Sequence, residues 1–484
     1  MSAYPYLQDE HTPVSSESEA TPCVVQGELP KDLAGTFARN SPNPRFEPLG
    51  RYHWFDGDGM VHAVSVQDGK ATYRAKWIRT EGLRLEEEAG QALFTGILEK
   101  PRPGAPGPLK DTANTDLVWH DGKLLALWWL SGTPMGLSLP NLDTLGPQRF
   151  GGGLPRGMAA HAKVDAASGE LMFFEFSLFK PPFYRYGVVS KSGELVSCEA
   201  IDVAGPRIPH DIAITPRFTV LLDLPLGWDV AALAAGKRRI GFDKAAPARI
   251  GIIPRHGKGA EVRWFQIEPC YAYHTVNAYE EGPNVCLIGC AIDDPIPQKR
   301  DETGNTTMLD TIALVPMLRK WTLNLETGAV KQETLDDTPS EFPRTNEALQ
   351  GQKIRFSYHG RLARRPSMMF DAVLKYDFVK GTHQTIDVPA GWYAGEPSFA
   401  PRVNAKDEDD GYIVTAITNA SDSEFWVVDA KTHQTAARGF KPLVARDREA
   451  LLAKTEHAAR DGQYEKYKST EIFDGTSRNP EWLG

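Results

Sequence analysis

Residues 62–78 read HAVSVQDGKATYRAKWI, two β-prone runs either side of Asp68-Gly69. An Asp-Gly pair between such runs predicts two antiparallel strands joined by a tight turn, because the turn demands positive φ and glycine adopts it without steric cost. The same grammar recurs in LVWHDGKLLALWWL (117–130), AKVDAASGELMFFEF (162–176) and GVVSKSGELVSCEAI (187–201). It returns in RKWTLNLETGAVKQETL (319–335), LKYDFVKGTHQTIDV (374–388) and EFWVVDAKTHQTAARGF (424–440). Asp121-Gly122, Ser168-Gly169, Ser192-Gly193 and Thr327-Gly328 supply the turns. The units repeat irregularly, often at about 50 residues, the length of a four-stranded blade with a loop. Long amphipathic helical patterns are nearly absent before residue 443. The reading is an all-β chain folded as a multi-bladed β-propeller. A pair of β-sandwiches is the alternative, and it would need a Pro/Gly-rich linker near the middle. PRPGAPGP (101–108) and DDPIPQ (293–298) read instead as loops, and no domain seam emerges.

Around this core the organisation is simple. Residues 1–22 are polar and acidic and are expected to form a flexible arm laid over or hanging off the fold. Residues 23–442 carry the propeller with its insertions. Residues 443–484 form a tail in which ARDREALLAKTEHAARDGQYEKYKS (445–469) has helix-forming composition.

The 484 residues are 41% hydrophobic and 24% charged, which excludes a disordered or collagenous chain. Lys+Arg 54 against Asp+Glu 63 leaves a net charge of −9, so no nucleic-acid partner is expected, since phosphate binding needs a cationic face. Cys23, Cys198, Cys270, Cys286 and Cys290 are odd in number and scattered, which suits free thiols in a reducing compartment and predicts a cytoplasmic protein. Met1–Ala20 has neither a basic nor an apolar segment of secretory type, and no window approaches the ~18 apolar residues of a spanning helix.

Three of the twelve histidines stand in β-prone, largely uncharged runs: His161 in GMAAHAKVD, His210 in RIPHDIAIT and His274 in YAYHTVNAYEE. They fall in three different presumptive blades, 49 and 64 residues apart. Each alone reads as a buried histidine satisfied by two hydrogen-bond partners. Three in corresponding places of a propeller can converge on its axis and hold a divalent ion, and imidazole suits Fe, Cu, Zn and Ni. Other candidates are weaker. Asp56 and Asp58 lack the remaining ligands of a calcium loop, Cys286 and Cys290 read as packing on one strand face, and FGGGLPRG (150–157) has no strand-helix context for a dinucleotide.

Taken with FARNSPNP (37–44), HWFDGDGMVHAV (53–64), DTANTDLVWHDGKLLALW (111–128), SEFPR (340–344), GEPSFAPR (395–402) and DDGYIVT (409–415), the histidine segments resemble the carotenoid cleavage oxygenase family from about residue 25 to 430. The resemblance implies a seven-bladed β-propeller with a non-haem Fe(II) held on its axis by four histidines, under a dome of loops and helices enclosing an apolar tunnel. It implies O₂ addition across a conjugated carbon-carbon double bond of a carotenoid, apocarotenoid or related alkene, releasing two carbonyl products. By motif match His161, His210 and His274 are iron ligands, and Glu341 and Glu396 are two of the glutamates that accept the ligands' other ring N–H.

Two positions depart from the family pattern. Trp129 stands where a third such glutamate is usual, which leaves His210 as the histidine expected to lack a carboxylate. The family's fourth histidine, in a Gly-Phe-His-Gly-like turn near the C-terminus, has no counterpart after Val427-Val428-Asp429-Ala430; His433 lies too close to the strand, and His457 in the tail is the remaining candidate. Ile97 and Trp128 occupy positions that are Tyr and Lys in stilbene-cleaving members, which favours an apolar polyene over a phenol. FEFSLFKPPFYRYG (174–187), aromatic and flanked by cations, suits a tunnel mouth, a peripheral membrane contact or a blade edge. Two alternatives accompany the dioxygenase reading: a propeller binding an apolar ligand without oxygenase chemistry, and a three-histidine iron enzyme acting as an isomerase.

Overall fold

The turn chemistry is realised in the computed structural model, which describes residues 5–7, 9–50, 52–97, 99–229, 240–296, 315–364 and 367–440. Gln67 pairs with Lys70 across Asp68 (φ 51°) and Gly69 (φ 72°), and His120 pairs with Lys123 across Asp121 (φ 46°) and Gly122 (φ 70°). Both central residues are left-handed in each loop, which matches the right-handed twist of the flanking strands.

Successive hairpins build antiparallel meanders whose strands follow chain order. One comprises Asp116–His120, Lys123–Leu127, Met135–Leu137 and Thr144–Pro147. The next comprises Lys163–Val164, Leu171–Phe176, Tyr184–Val189 and Leu195–Ile201. Ala213–Ile214, Phe218–Asp223, Ala248–Pro254 and Arg263–Ile267 follow, then Tyr271–Glu281, Asn284–Ile292, Met317–Asn324 and Val330–Asp336. A ten-stranded sheet takes the chain from Ser340–Arg344 to Thr435–Phe440, and within it the two-residue strand Tyr393–Ala394 bridges two meanders. The molecule is a β-propeller, and among the described residues its one α-helix is Glu81–Ala89, capped by Thr80 and by Gly90 at φ 66°.

The ring closes through residues 18–27. Ser18–Pro22 pairs with Lys70–Trp77 and completes the sheet of Gly35–Pro42 and Gly59–Gln67, while Val24–Gly27 pairs with Thr435–Phe440 at the far end of the chain. Two otherwise exposed edges are thereby covered. Within the expected arm of residues 1–22, Tyr6 is also buried, stacked on Trp54. The tail of residues 443–484, with His457, lies outside the described residues.

The largest core cluster runs through the sheets between Leu125 and Trp321, and holds fully buried Phe173, Phe174, Tyr186 and Tyr271. All five cysteines are free thiols, with Cys270, Cys286 and Cys290 buried. No helix among the described residues is long and apolar enough to cross a membrane. Within residues 174–187, Phe174, Phe176 and Tyr184 lie in strands and are buried, whereas Phe179 in the connection between them is 65% exposed.

Candidate metal centre

Each meander begins with its innermost strand, and those strands deliver the polar residues of the site. His161 lies two residues before Lys163–Val164, His210 three before Ala213–Ile214, and His274 inside Tyr271–Glu281. Regular strand alternation would not aim them together, and at two of the three the backbone is irregular. His161 has φ +66°, and the pairing register of Tyr271–Glu281 breaks between Ala272 and Thr275, a bulge that re-aims the intervening His274.

The three imidazoles converge. His161 Nε2 and His210 Nε2 are 3.2 Å apart, the ring centroids are separated by 4.8, 4.8 and 5.1 Å, and one nitrogen of each lies within 4.8 Å of the others. His274 Nδ1 is 2.6 Å from Glu341 Oε2, so its Nε2 is the nitrogen left for a ligand. Tyr273 and Phe342 pack edgewise or tilted against His210 and His274, at 5.1 and 4.8 Å.

Burial holds His161 and His210 well below the usual imidazole range, and the other imidazoles add to the effect at His161. Burial acts the same way on His274, but the charge and hydrogen bond of Glu341 outweigh it and the net direction is upward. Two neutral imidazoles and a third whose Nδ1 proton is held by a carboxylate form a donor set with no thiolate, of the kind that binds borderline divalent ions.

The neighbours of these histidines fix them. Asp211 accepts hydrogen bonds from Thr275 N and Oγ1, both 2.8 Å, and its other oxygen lies 2.7 Å from Lys163 Nζ. Asp116 Oδ2 accepts the His161 backbone N–H at 3.0 Å and lies 3.6 Å from His161 Nδ1. Burial raises the Asp116 carboxyl, against the pull of Arg344 and Lys163. Glu396 accepts from Arg344 Nε at 2.6 Å, and Arg344 Nη2 approaches Asp116 Oδ1 at 3.7 Å. Among the described residues no carboxylate lies within ion-pair distance of His210. His433 stands in the turn after Ser423–Asp429, apart from the group.

A cavity of about 240 Å³ opens over the histidines, with Phe55, Trp54, Phe370 and Met369 in its walls. Phe55 also borders a second cavity of about 50 Å³ lined by Asp56, Ile97, Trp128 and Trp129. Trp129, 3% exposed, meets Phe55 edge to face at 5.3 Å. Asp116, Lys163, Asp211 and Arg344 do not stand out in the sequence, although Lys163, Asp211 and Arg344 each lie within three residues of His161, His210 or Glu341; their signal is a charged residue inside a largely uncharged strand start.

A family model described as retinal pigment epithelial membrane protein, RPE65, matches residues 11–440. The carotenoid 9,10(9',10')-cleavage dioxygenase 1 of Phaseolus vulgaris is 34% identical over 466 residues, covering 88% of this chain and 84% of that one. The chain belongs to the carotenoid cleavage oxygenase family. Its fold is shared with a lignostilbene dioxygenase of Pseudomonas brassicacearum, at a TM-score of 0.81 and 25% identity over 90% of this chain and 95% of that one. A cobalt-substituted Synechocystis apocarotenoid oxygenase matches at 0.77 and 27%, covering 87% and 93%. Family membership and the convergent imidazoles agree on a metal site, and the relatives are by name a carotenoid-cleavage dioxygenase, a lignostilbene dioxygenase and an apocarotenoid oxygenase.

Proposed function

We propose that the chain is a non-haem Fe(II)-dependent dioxygenase that cleaves a conjugated carbon-carbon double bond of a carotenoid, apocarotenoid or related alkene, with His161, His210 and His274 as ligands of the ion. The observation that carries this is the convergence of three imidazoles from three consecutive meanders at the floor of an aromatic-walled cavity. A redox-active divalent ion held there supplies O₂ activation and Lewis acidity. The balance needs no outside reductant: the C=C and O–O bonds break and two C=O bonds form.

The chain's own residues do the rest. Glu341 keeps the proton on His274 Nδ1, which fixes the tautomer and points Nε2 at the ion. Burial keeps His161 and His210 unprotonated, so both stay competent as donors at neutral pH. Glu396 holds Arg344 beside Asp116. Phe55, Trp54 and Phe370 exclude water and offer apolar surface to a polyene. Ile97 and Trp128, two of the residues lining the smaller cavity, themselves carry no acid or cation for a phenol, which supports a polyene. The free thiols support a cytoplasmic setting within this reading, and the exposed Phe179 supports a peripheral membrane contact.

The test is elemental analysis after anaerobic Fe(II) loading and desalting, followed by O₂ uptake with polyene substrates. Near one iron per chain, substrate-dependent uptake and two carbonyl products are expected, all lost in His210→Ala. A folded, iron-free protein that consumes no O₂ would instead favour an apolar-ligand binder.

A further inference from the structure

We propose that Asp116 is the carboxylate that positions His161 for metal binding, by holding its peptide N–H and placing a carboxylate oxygen 3.6 Å from its Nδ1, where Glu341 bonds Nδ1 of His274 directly. This rests on the metal reading above and extends it to a residue outside the expected set.

Four observations support it. Asp116 Oδ2 receives the His161 backbone N–H at 3.0 Å and stands 3.6 Å from Nδ1 of the same residue, so one oxygen addresses both the peptide and the ring. His161 has φ +66°, a conformation that residues with a Cβ avoid because of crowding against the following carbonyl, and a hydrogen bond to that peptide is what holds it. The ring then faces one way: Nε2 lies 3.2 Å from His210 Nε2, and Nδ1 is on the Asp116 side. Asp116 is itself held, since Oδ1 accepts from Leu117 N at 2.9 Å and lies 3.7 Å from Arg344 Nη2, which Glu396 anchors at 2.6 Å.

The arrangement also bears on Trp129. An acid is missing at 129, where the side chain is packed against Phe55, and an acid is present at 116, facing a different histidine. Asp116 acts through His161 and is a positioning residue.

Cobalt(II) titration of the metal-free protein tests this, read by dissociation constant and by the visible absorption of the bound ion, with thermal unfolding of each metal-free variant alongside. Asp116→Leu removes both the acceptor and the charge, and a ~10–100-fold loss of cobalt affinity with an altered spectrum is expected. Asp116→Asn keeps an oxygen for the His161 N–H but not the charge, so an intermediate loss with a near-unchanged unfolding temperature is expected. The Asn variant decides the matter where Leu does not fold. Cobalt binding within twofold of wild type and an unaltered spectrum in the folded variants would overturn the role of Asp116 while leaving the metal site intact. Wild-type protein that folds but takes up no cobalt would overturn the metal reading itself, and with it this inference.

Discussion

Asp211 accepts both the backbone N–H and the hydroxyl of Thr275, each at 2.8 Å. The two residues directly follow His210 and His274, and Lys163, two after His161, closes the group at 2.7 Å. One carboxylate, 1% exposed, therefore pins the inner ends of three meanders beside the three imidazoles. The convergence of the histidines follows from this bracket as much as from the propeller itself.

Removing that carboxylate leaves a nearly buried lysine without its counter-charge and the Thr275 N–H without an acceptor, while the Thr275 hydroxyl keeps only the Ile212 carbonyl, at 3.1 Å. Asp211→Ala is expected to cost ~3–5 kcal/mol of stability, the range for breaking a buried pair on one side. Asp211→Asn, which keeps one acceptor, should cost ~1–3 kcal/mol. Urea unfolding of the metal-free protein measures both, and a loss under about 1 kcal/mol for the alanine variant would show that the bracket contributes little.

The hairpins were legible because Asp68-Gly69 and Asp121-Gly122 announce their own backbone conformation. The closure of the ring was not, since Val24–Gly27 pairs with a strand more than 400 residues away and no local feature marks its partner. The three histidines were visible as residues out of place in apolar strand starts. Their distances apart were not, because the inner strands that orient them, Lys163–Val164 and Ala213–Ile214, are two residues long and carry no periodicity. Asp116 carries no mark in the sequence, because an aspartate at the start of a strand looks the same whether it faces water or His161. The family resemblance implies a histidine partner for Glu396, and in the structure its carboxylate holds Arg344.

Acid should destabilise the protein through two histidines outside the metal centre. Burial pushes both His53 and His359 down to about 3; His53 Nδ1 accepts from Phe55 N, and His359 lies between the hydroxyls of Ser340 and Ser357. Their unfolded counterparts titrate near ~6.5. Between about pH 6.5 and 3 the unfolded chain binds protons that the folded chain refuses, so stability falls as pH falls, by up to ~1.4 kcal/mol per pH unit for each group. His359→Asn should make the slope between pH 6 and 4 shallower by up to that amount. Parallel denaturation curves at each pH would expose a failure as an unchanged slope.

Trp129 is a wall. It packs on Phe55, which borders both cavities, and it lines the smaller one. Trp129→Ala should cost ~3–5 kcal/mol through the hole left behind. The same change should join the two cavities and admit longer or bulkier polyenes, read as a shift in relative affinity across a chain-length series by absorbance titration. Stability loss with an unchanged order of affinities would mean that Phe55 alone separates the two spaces.

Tyr6 covers the cavity from the N-terminal side. Its ring stacks on Trp54 at 5.4 Å, its hydroxyl accepts the Met368 N–H at 3.1 Å, and all three residues line the space over the histidines. Burial raises the phenol to about 12, so it stays a neutral hydroxyl throughout the ordinary pH range. Tyr6→Ala should cost ~1.5–3 kcal/mol in lost burial, and Tyr6→Phe, which forfeits only the hydrogen bond, ~1 kcal/mol. Because Ser18–Pro22 and Val24–Gly27 pair independently of Tyr6, deletion of residues 1–11 should preserve the β circular dichroism spectrum while increasing the binding of an environment-sensitive apolar dye. Tyr6→Ala should raise dye binding in the same direction and Tyr6→Phe should not, since the ring, and not the hydroxyl, excludes the dye. Equal dye binding in wild type, deletion and alanine variants would show that Trp54, Ala363, Met368 and Met369 close the cavity without the arm.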